Sequence, residues 1–297
     1  MAHGGTPLTF ALAGGVALLT TYSYAKLSVT CSSRSGTATF LDRSFGAGMF
    51  SGSMNVLLWL SYVVTLSPYA LAFGSYAATF LPQPWQPIGK HVLLSLGVIL
   101  LTGLNLLSAR SIGKAETWIV GVKVASLLLF VATGVTGVTG IHASQIAPGS
   151  WSPPMQLAAG GMIIFLAYEG LELIANSAQD VRDPAHTLPR AYYVSLGFVI
   201  ALYILVSLMT VGNLPIDPIV AAKDYALAEA ARPFLGHAGF VLIAVAAMLS
   251  TASAINATLY GAARISYVIA MDGELPAMLG RNVWNQPATG LLITAAR

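Results

Sequence analysis

Long uninterrupted apolar runs constrain this chain more than any other feature. Seven of them reach or approach the roughly 20 residues of helix that cross a bilayer: about Leu8–Leu27, Gly48–Phe80, Val92–Ala109, Trp118–Gly140, Leu157–Ala178, Ala191–Val211 and Gly239–Met271. They do not alternate apolar with polar residues, so they read as helices rather than strands. The apolar environment they need cannot be their own core alone. Charged residues are only 8% of the 297 against 56% hydrophobic, and mean hydropathy is +0.74, whereas a soluble surface takes about 25% charged residues. In hydrocarbon every backbone N–H and C=O must be paired internally, which restricts spanning structures to helices or closed barrels. An all-α polytopic membrane protein follows. Gly48–Phe80 and Gly239–Met271 exceed the bilayer thickness and must tilt or project into water.

Proline clusters punctuate the runs: Leu81-Pro82-Gln83-Pro84, Ser152-Pro153-Pro154 and Asp183-Pro184 mark helix ends. Asp217–Arg232 reads as a surface loop with one short helix. An eighth run starts near Pro287 and is cut at Arg297, which predicts truncation at the C-terminus. Lys26, Arg34, Arg43, Arg110, Lys114, Arg182, Arg190, Arg264 and Arg281 fall on one side of the spans, Lys90, Lys223 and Arg232 on the other. The first side is cytoplasmic by the positive-inside rule. That places the N-terminus outside and predicts a preceding span beyond this chain. A net charge of +3 with its basic residues in short loops sets orientation and excludes a nucleic-acid partner. With Cys31 the sole cysteine there is no intrachain disulfide. No helical histidine pair, nucleophile elbow or phosphate loop is present, so no metal or cofactor is expected and no catalytic residue is assigned.

The chemistry concentrates in Phe165-Leu166-Ala167-Tyr168-Glu169-Gly170-Leu171-Glu172, where a glycine and two carboxylates interrupt an apolar span. An ionisable residue at a helix centre costs upward of about 2.5 kcal/mol, and glycine costs about 1 kcal/mol of helix propensity. The combination predicts non-helical backbone around Leu166, Ala167 and Glu169, broken at Gly170, with freed carbonyls and amides facing a cavity. A straight helix with both acids near an interface is the alternative. Lys123 lies a few residues inside the Trp118–Gly140 run, where it either snorkels to the interface or sits buried and exchanges protons. Gly48-x-x-x-Gly52 and Gly134, Gly137 and Gly140 suit close helix packing. Tyr62, Tyr69 and Trp59 read as packing or interface residues, and His142 and His237 as solvated.

Beyond the broken span, Gln179-Asp180-Val181-Arg182-Asp183-Pro184 followed by Thr187-Leu188-Pro189-Arg190-Ala191 resembles the segment after the sixth helix of the amino acid–polyamine–organocation permeases, whose Phe-x-Ala-Tyr-x-Gly-x-Glu core matches Phe165 to Glu172. Ser250-Thr251-x-x-Ala254-x-Asn256-Ala257-Thr258, Arg264 and Asp272-Gly273-Glu274-Leu275-Pro276 resemble the family's eighth helix and following loop, with Met271 where many members have arginine. Ala11–Lys26 resembles the second helix, with Lys26 where glutamate is usual. The resemblance runs from the second helix into the ninth. It implies a leucine-transporter-like fold with inverted repeats, incomplete here, as one transmembrane domain over residues 1–297 truncated at both ends. The implied function is secondary active transport of an amino acid or related amine, proton-coupled or by exchange, in a multi-pass cell-membrane protein. Leu166, Ala167, Tyr168, Glu169 and Gly170 would bind substrate. Lys123, with Ser250 and Thr251, would couple protons. Substrate, protons and the bilayer are the partners expected. A non-transporting membrane fragment and an integral membrane enzyme are the alternatives.

Cysteines placed at Lys114, Arg190 and Arg281 in a Cys31→Ser background should react with membrane-impermeant maleimides only after permeabilisation. Labelling at Arg190 in intact cells would reverse the orientation.

Overall fold

The computed structural model describes residues 3–33, 36–46, 48–107, 109–136, 143–273, 275 and 288–295. Arg34, Gly137, Gly140, His142, Glu274, Pro276, Arg281 and Pro287 lie outside the described residues, as do the side chains of Arg110 and Lys114. The described residues form α1 (Thr6–Thr30), α2 (Thr37–Phe45), α3 (Met49–Ala78), α4 (Gln86–Leu107), α5 (Ala109–Gly134), α6 (Pro154–Phe165), α7 (Leu171–Asn176), α8 (Pro184–Asn213), α9 (Ile216–Ala222), α10 (Ala226–Met271) and α11 (Ala288–Ala295), joined by short 3₁₀ turns. Among them no β-strand occurs beyond an isolated bridge between His3 and Trp151. Among the described residues, seven helical stretches are long and apolar enough to span a membrane. The architecture is the all-α, multi-pass one that the apolar runs demand.

Several hydroxyl side chains within the spans are paired to carbonyls of their own helix. Ser75 donates to Leu71 O at 2.8 Å, Thr102 to Val98 O at 2.7 Å, Thr133 to Leu129 O at 2.7 Å and Thr210 to Val206 O at 2.8 Å. Each uses a carbonyl one turn back, which is how serine and threonine become tolerable in hydrocarbon. Large apolar side chains such as Met49, Met155, Met162 and Trp118 are exposed, as lipid-facing residues should be.

The helix boundaries correct several expectations. Pro154 and Pro184 open α6 and α8 rather than merely following helix ends, because proline at a first-turn position gives up an amide that has no partner there. Helix α8 therefore starts at Pro184, not Ala191, with Thr187 N–H donating to Asp183 O at 2.9 Å. The linker between the first two runs, a loop by its basic residues, contains α2. Its Ala38 and Phe40 are buried, and Phe40 meets Tyr24 edge-on. Most of Asp217–Arg232 is helical rather than loop: it holds the greater part of α9, a 3₁₀ turn at Lys223–Tyr225 and the first turns of α10. Gly48 opens α3 instead of packing, its N–H donating to Ser51 Oγ at 3.1 Å. Gly134 does pack: an added Cβ would stand 3.1 Å from Met209.

The chain divides into two compact units. One comprises Met1–Ser23, Val120–Leu171 and Arg190–Ala247, the other Tyr24–Ile119, Glu172–Pro189 and Met248–Arg297. In the first, Ala13, Ala17, Tyr168 and Leu196 are buried together with Phe10, Ile200 and Tyr203 against them. Gln145 ties its polar end: its Nε2 donates to Val211 O and Leu214 O, both at 3.3 Å, and its Oε1 accepts from Ile216 N–H at 3.2 Å. One side chain thus satisfies the carbonyl end of α8 and the amide end of α9. In the second unit, Leu66 and Ala70 of α3 pack with Ile255, Leu259 and Ala263 of α10, and Trp59 and Tyr62 with Ala262, Ile265 and Ile269.

The length of α10 is explained by a break at Gly236, whose φ of 65° and ψ of −157° lie in a region essentially reserved for glycine. Nothing lies within 4 Å of an added Cβ there, so backbone strain alone excludes other residues. Gly236→Ala should cost about 1–3 kcal/mol in chemical denaturation in detergent, while Gly121→Ala, in regular helix with equally open surroundings, should cost nothing. Equal midpoints for both variants would show that the break relaxes without penalty.

Candidate substrate site

The span Pro154–Asn176 carries the candidate site, and its hydrogen bonding is interrupted where the glycine and acids cluster. Helix α6 stops at Phe165. Leu166–Tyr168 form a 3₁₀ turn, and Glu169 N–H donates to Leu166 O at 3.3 Å, three residues back instead of four. The interruption is milder than the non-helical stretch expected: Leu166 (φ −53°, ψ −32°) and Glu169 (φ −65°, ψ −10°) keep right-handed backbone. What changes is the ladder, since a 3₁₀ turn followed by a turn at Glu169–Gly170 leaves carbonyls without i+4 donors. Leu166, Ala167, Glu169 and Gly170 are exposed, and nothing occupies the 4 Å around an added Gly170 Cβ. Tyr168 points the other way. It is buried, donates to Phe10 O at 3.1 Å and stacks obliquely on Tyr203. Tyr168 is therefore an anchor within its unit. At the next residue but two, Leu171 O accepts from the buried Tyr192 hydroxyl at 3.3 Å.

The residues after the break belong to the second unit, where Glu172 is held by tyrosines. The Tyr24 hydroxyl donates to Glu172 Oε1 at 3.2 Å. Since Tyr24 has one proton to give, Thr37, 3.1 Å from the same hydroxyl oxygen, is the donor to it. Tyr62 faces the same carboxylate and accepts from Asn176 Nδ2 at 2.9 Å. Glu172 and Asn176 stand one turn apart on α7, so a single helix face presents both groups to α1 and α3. This corrects the reading of Tyr62 as packing alone: its ring is in the core and its hydroxyl joins a polar chain. The i,i+4 spacing of Glu172 and Asn176 is the sequence signal that could have exposed it. Trp59 stays a core residue.

Helix α7 is seated closely. A Cβ on Gly261 of α10 would lie 2.7 Å from the Tyr62 ring and 3.3 Å from Leu173, and one on Gly36 (φ 46°) 2.5 Å from Asn176 Oδ1 and 2.9 Å from Ala175. Elsewhere in this unit Asn105 Nδ2 donates to Asn256 Oδ1 at 2.6 Å, and Ser253 donates to Glu116, an acid that the sequence pattern did not single out. Outside the spans, burial and then the charge of Asp42 push the Asp272 carboxyl above the usual carboxylate range. Of the expected coupling residues, Lys123 lies half-buried on α5 in the first unit; Ser250, exposed, and Thr251, half-buried with its hydroxyl donating to Met248 O at 3.1 Å, lie on α10 in the second. Among the described residues no group of three or more His, Cys, Asp or Glu is placed to hold a metal.

Comparison with known proteins gives a consistent result. The sequence profile of the family described as amino acid permease matches residues 1–296. An uncharacterized protein of Methanocaldococcus jannaschii is 38% identical over 98% of this chain and 66% of its own length. The inner membrane transport protein YbaT of Escherichia coli is 36% identical over 98% of the chain and 67% of its own length. The lysine-specific permease LysP of Escherichia coli is 27% identical over 94% of the chain and 59% of its own length. The chain thus spans about two thirds or less of the length of these relatives.

Gly261→Ala should lower stability by about 1–3 kcal/mol, as overpacking in a filled interior does, while Gly170→Ala, into open space, should be neutral or slightly stabilising. Chemical denaturation in detergent measures both. A neutral Gly261→Ala would mean that α7 is not held where its contacts place it.

Proposed function

Because the chain belongs to the amino acid permease family, we propose that it forms the substrate-handling part of a secondary transporter for an amino acid or related amine. The observation that carries the proposal is the interrupted ladder at Leu166–Gly170 inside a membrane span. Unpaired backbone groups in hydrocarbon cost several kcal/mol each, so an interruption there is expected only where protein, water or a ligand supplies partners. An amino acid brings complementary charges: its ammonium group suits freed carbonyls, and its carboxylate suits freed amides. In this reading the backbone of Leu166, Ala167, Glu169 and Gly170 receives the substrate's ammonium group. Tyr168 holds the segment through Phe10 and Tyr203, and Gly170 leaves the approach open.

Energy coupling is assigned to Lys123 together with Ser250 and Thr251, following the family resemblance. An ionisable amine within a span has two protonation states, and states that favour two cavity orientations are what coupling requires. The name of one relative, a lysine-specific permease, supports an amino acid substrate.

Gly170→Leu should abolish saturable amino acid uptake in proteoliposomes while leaving membrane insertion intact. Lys123→Ala should retain counterflow exchange and lose accumulation driven by an imposed pH gradient. Equal pH-driven accumulation by wild type and Lys123→Ala would remove Lys123 from the coupling step, and normal uptake by Gly170→Leu would remove the break from the substrate site.

A further inference from the structure

We propose that Arg264 is a positioning residue for the substrate site, acting by clamping the carbonyl end of α7. The argument begins with the shortness of that helix. Six residues with a break before them cannot satisfy their own last carbonyls or hold their own direction. Arg264 of α10 supplies what is lacking: its guanidinium donates to Asn176 O, at the end of α7, at 3.1 Å. A cation is favoured at that position because the helix dipole presents its negative end there. The Arg264 side chain is only 15% exposed, and its guanidinium lies 4.9 Å from the ring centroid of Tyr260.

Two other features show that the contact is built rather than incidental. Asn176 is bound at both ends, its carbonyl by Arg264 and its side-chain amide by donation to Tyr62. Gly261, one turn before Arg264 on the same helix, gives α7 the room to lie against α10. Together these fix the rotation and axial position of α7, and so the direction in which Glu172 is presented to Tyr24 and Tyr62. Helix α7 also follows Gly170 directly in sequence. The second partner of Arg264, Asp180 at 3.4 Å, is 57% exposed. An ion pair that solvated contributes little, so the carbonyl contact is the one that matters.

The inference rests on the transport reading, and the test separates the two. Hydrogen–deuterium exchange of the protein in lipid nanodiscs reports residues 171–180 directly. Arg264→Ala should lower protection there by roughly ten-fold or more, the loss expected for a charge-assisted bond to a buried carbonyl. Protection of α3 should stay unchanged. Asp180→Asn should leave protection at the wild-type level, and Arg264→Lys, with a point charge in place of the fork, should restore part of it. In proteoliposomes, the half-saturation concentration should rise with Arg264→Ala for whichever amino acid wild type accumulates from a labelled mixture of protein amino acids. Turnover should change far less. If Arg264→Ala does not insert, Arg264→Gln and Arg264→Lys carry the same comparison. Unchanged protection of 171–180, an Asp180→Asn effect equal to that of Arg264→Ala, or a loss spread evenly over the chain overturns the clamp. If wild type takes up no amino acid, the transport reading falls and the exchange data alone decide Arg264.

Discussion

A backbone polar group in hydrocarbon must find a partner within the protein, and every other feature of this chain is arranged around that requirement. Regular helix meets it over most of each span, with serine and threonine hydroxyls bonding to carbonyls of their own helix. The requirement becomes informative where helix fails. At Leu166–Tyr168 the ladder changes from i−4 to i−3, and a turn at Glu169–Gly170 leads into α7. In the proposed reading, this change of pairing marks the place where a polar molecule is held within the membrane.

The break also divides the span between two sets of neighbours. Up to Leu171 it is held within the first unit, through Tyr168 on Phe10 and Tyr192 on Leu171. From Glu172 onward it is held within the second, through Tyr24, Tyr62 and Arg264. A short helix on one side of a break depends on tertiary contacts for its orientation, because six residues cannot nucleate and hold a helix alone. The polar ring around α7 is therefore a structural necessity before it is a functional one. Acidic Glu172 is tolerable in the span because hydroxyl donors converge on it.

Composition and the period of the apolar runs were enough to specify a multi-pass helical protein, the approximate spans, and the unusual cluster from Phe165 to Glu172. These are legible because lipid imposes a one-dimensional rule: a run of sufficient length and apolarity has to be a spanning helix. The motif around Thr187-Leu188-Pro189-Arg190-Ala191 was legible for the same local reason, as contiguous residues. Helix starts were less so. Pro184 reads as a stop in sequence and acts as a start in the fold, since proline forbids only what precedes it. The amphipathic α2 and the helical content of Asp217–Arg232 were hidden because short helices draw their stability from what they pack against rather than from their own pattern.

The partners of the site were decided only in three dimensions. Nothing in the sequence around Tyr62 itself marks a polar role, and its hydroxyl acquires one because α7 brings Asn176 and Glu172 to it. Arg264 is legible in sequence as part of a family-like motif and as one of the basic residues that set orientation, but only the fold shows that it reaches the end of α7 and sits largely buried. Gly261 is one glycine among many until the closeness of Tyr62 and Leu173 gives it a reason. The sequence by itself determined which segments enter the membrane and where their helical pairing weakens, because both depend on local composition and backbone preference. Which side chains compensate that weakness depends on contacts between residues far apart in the chain, and only the tertiary structure could decide it.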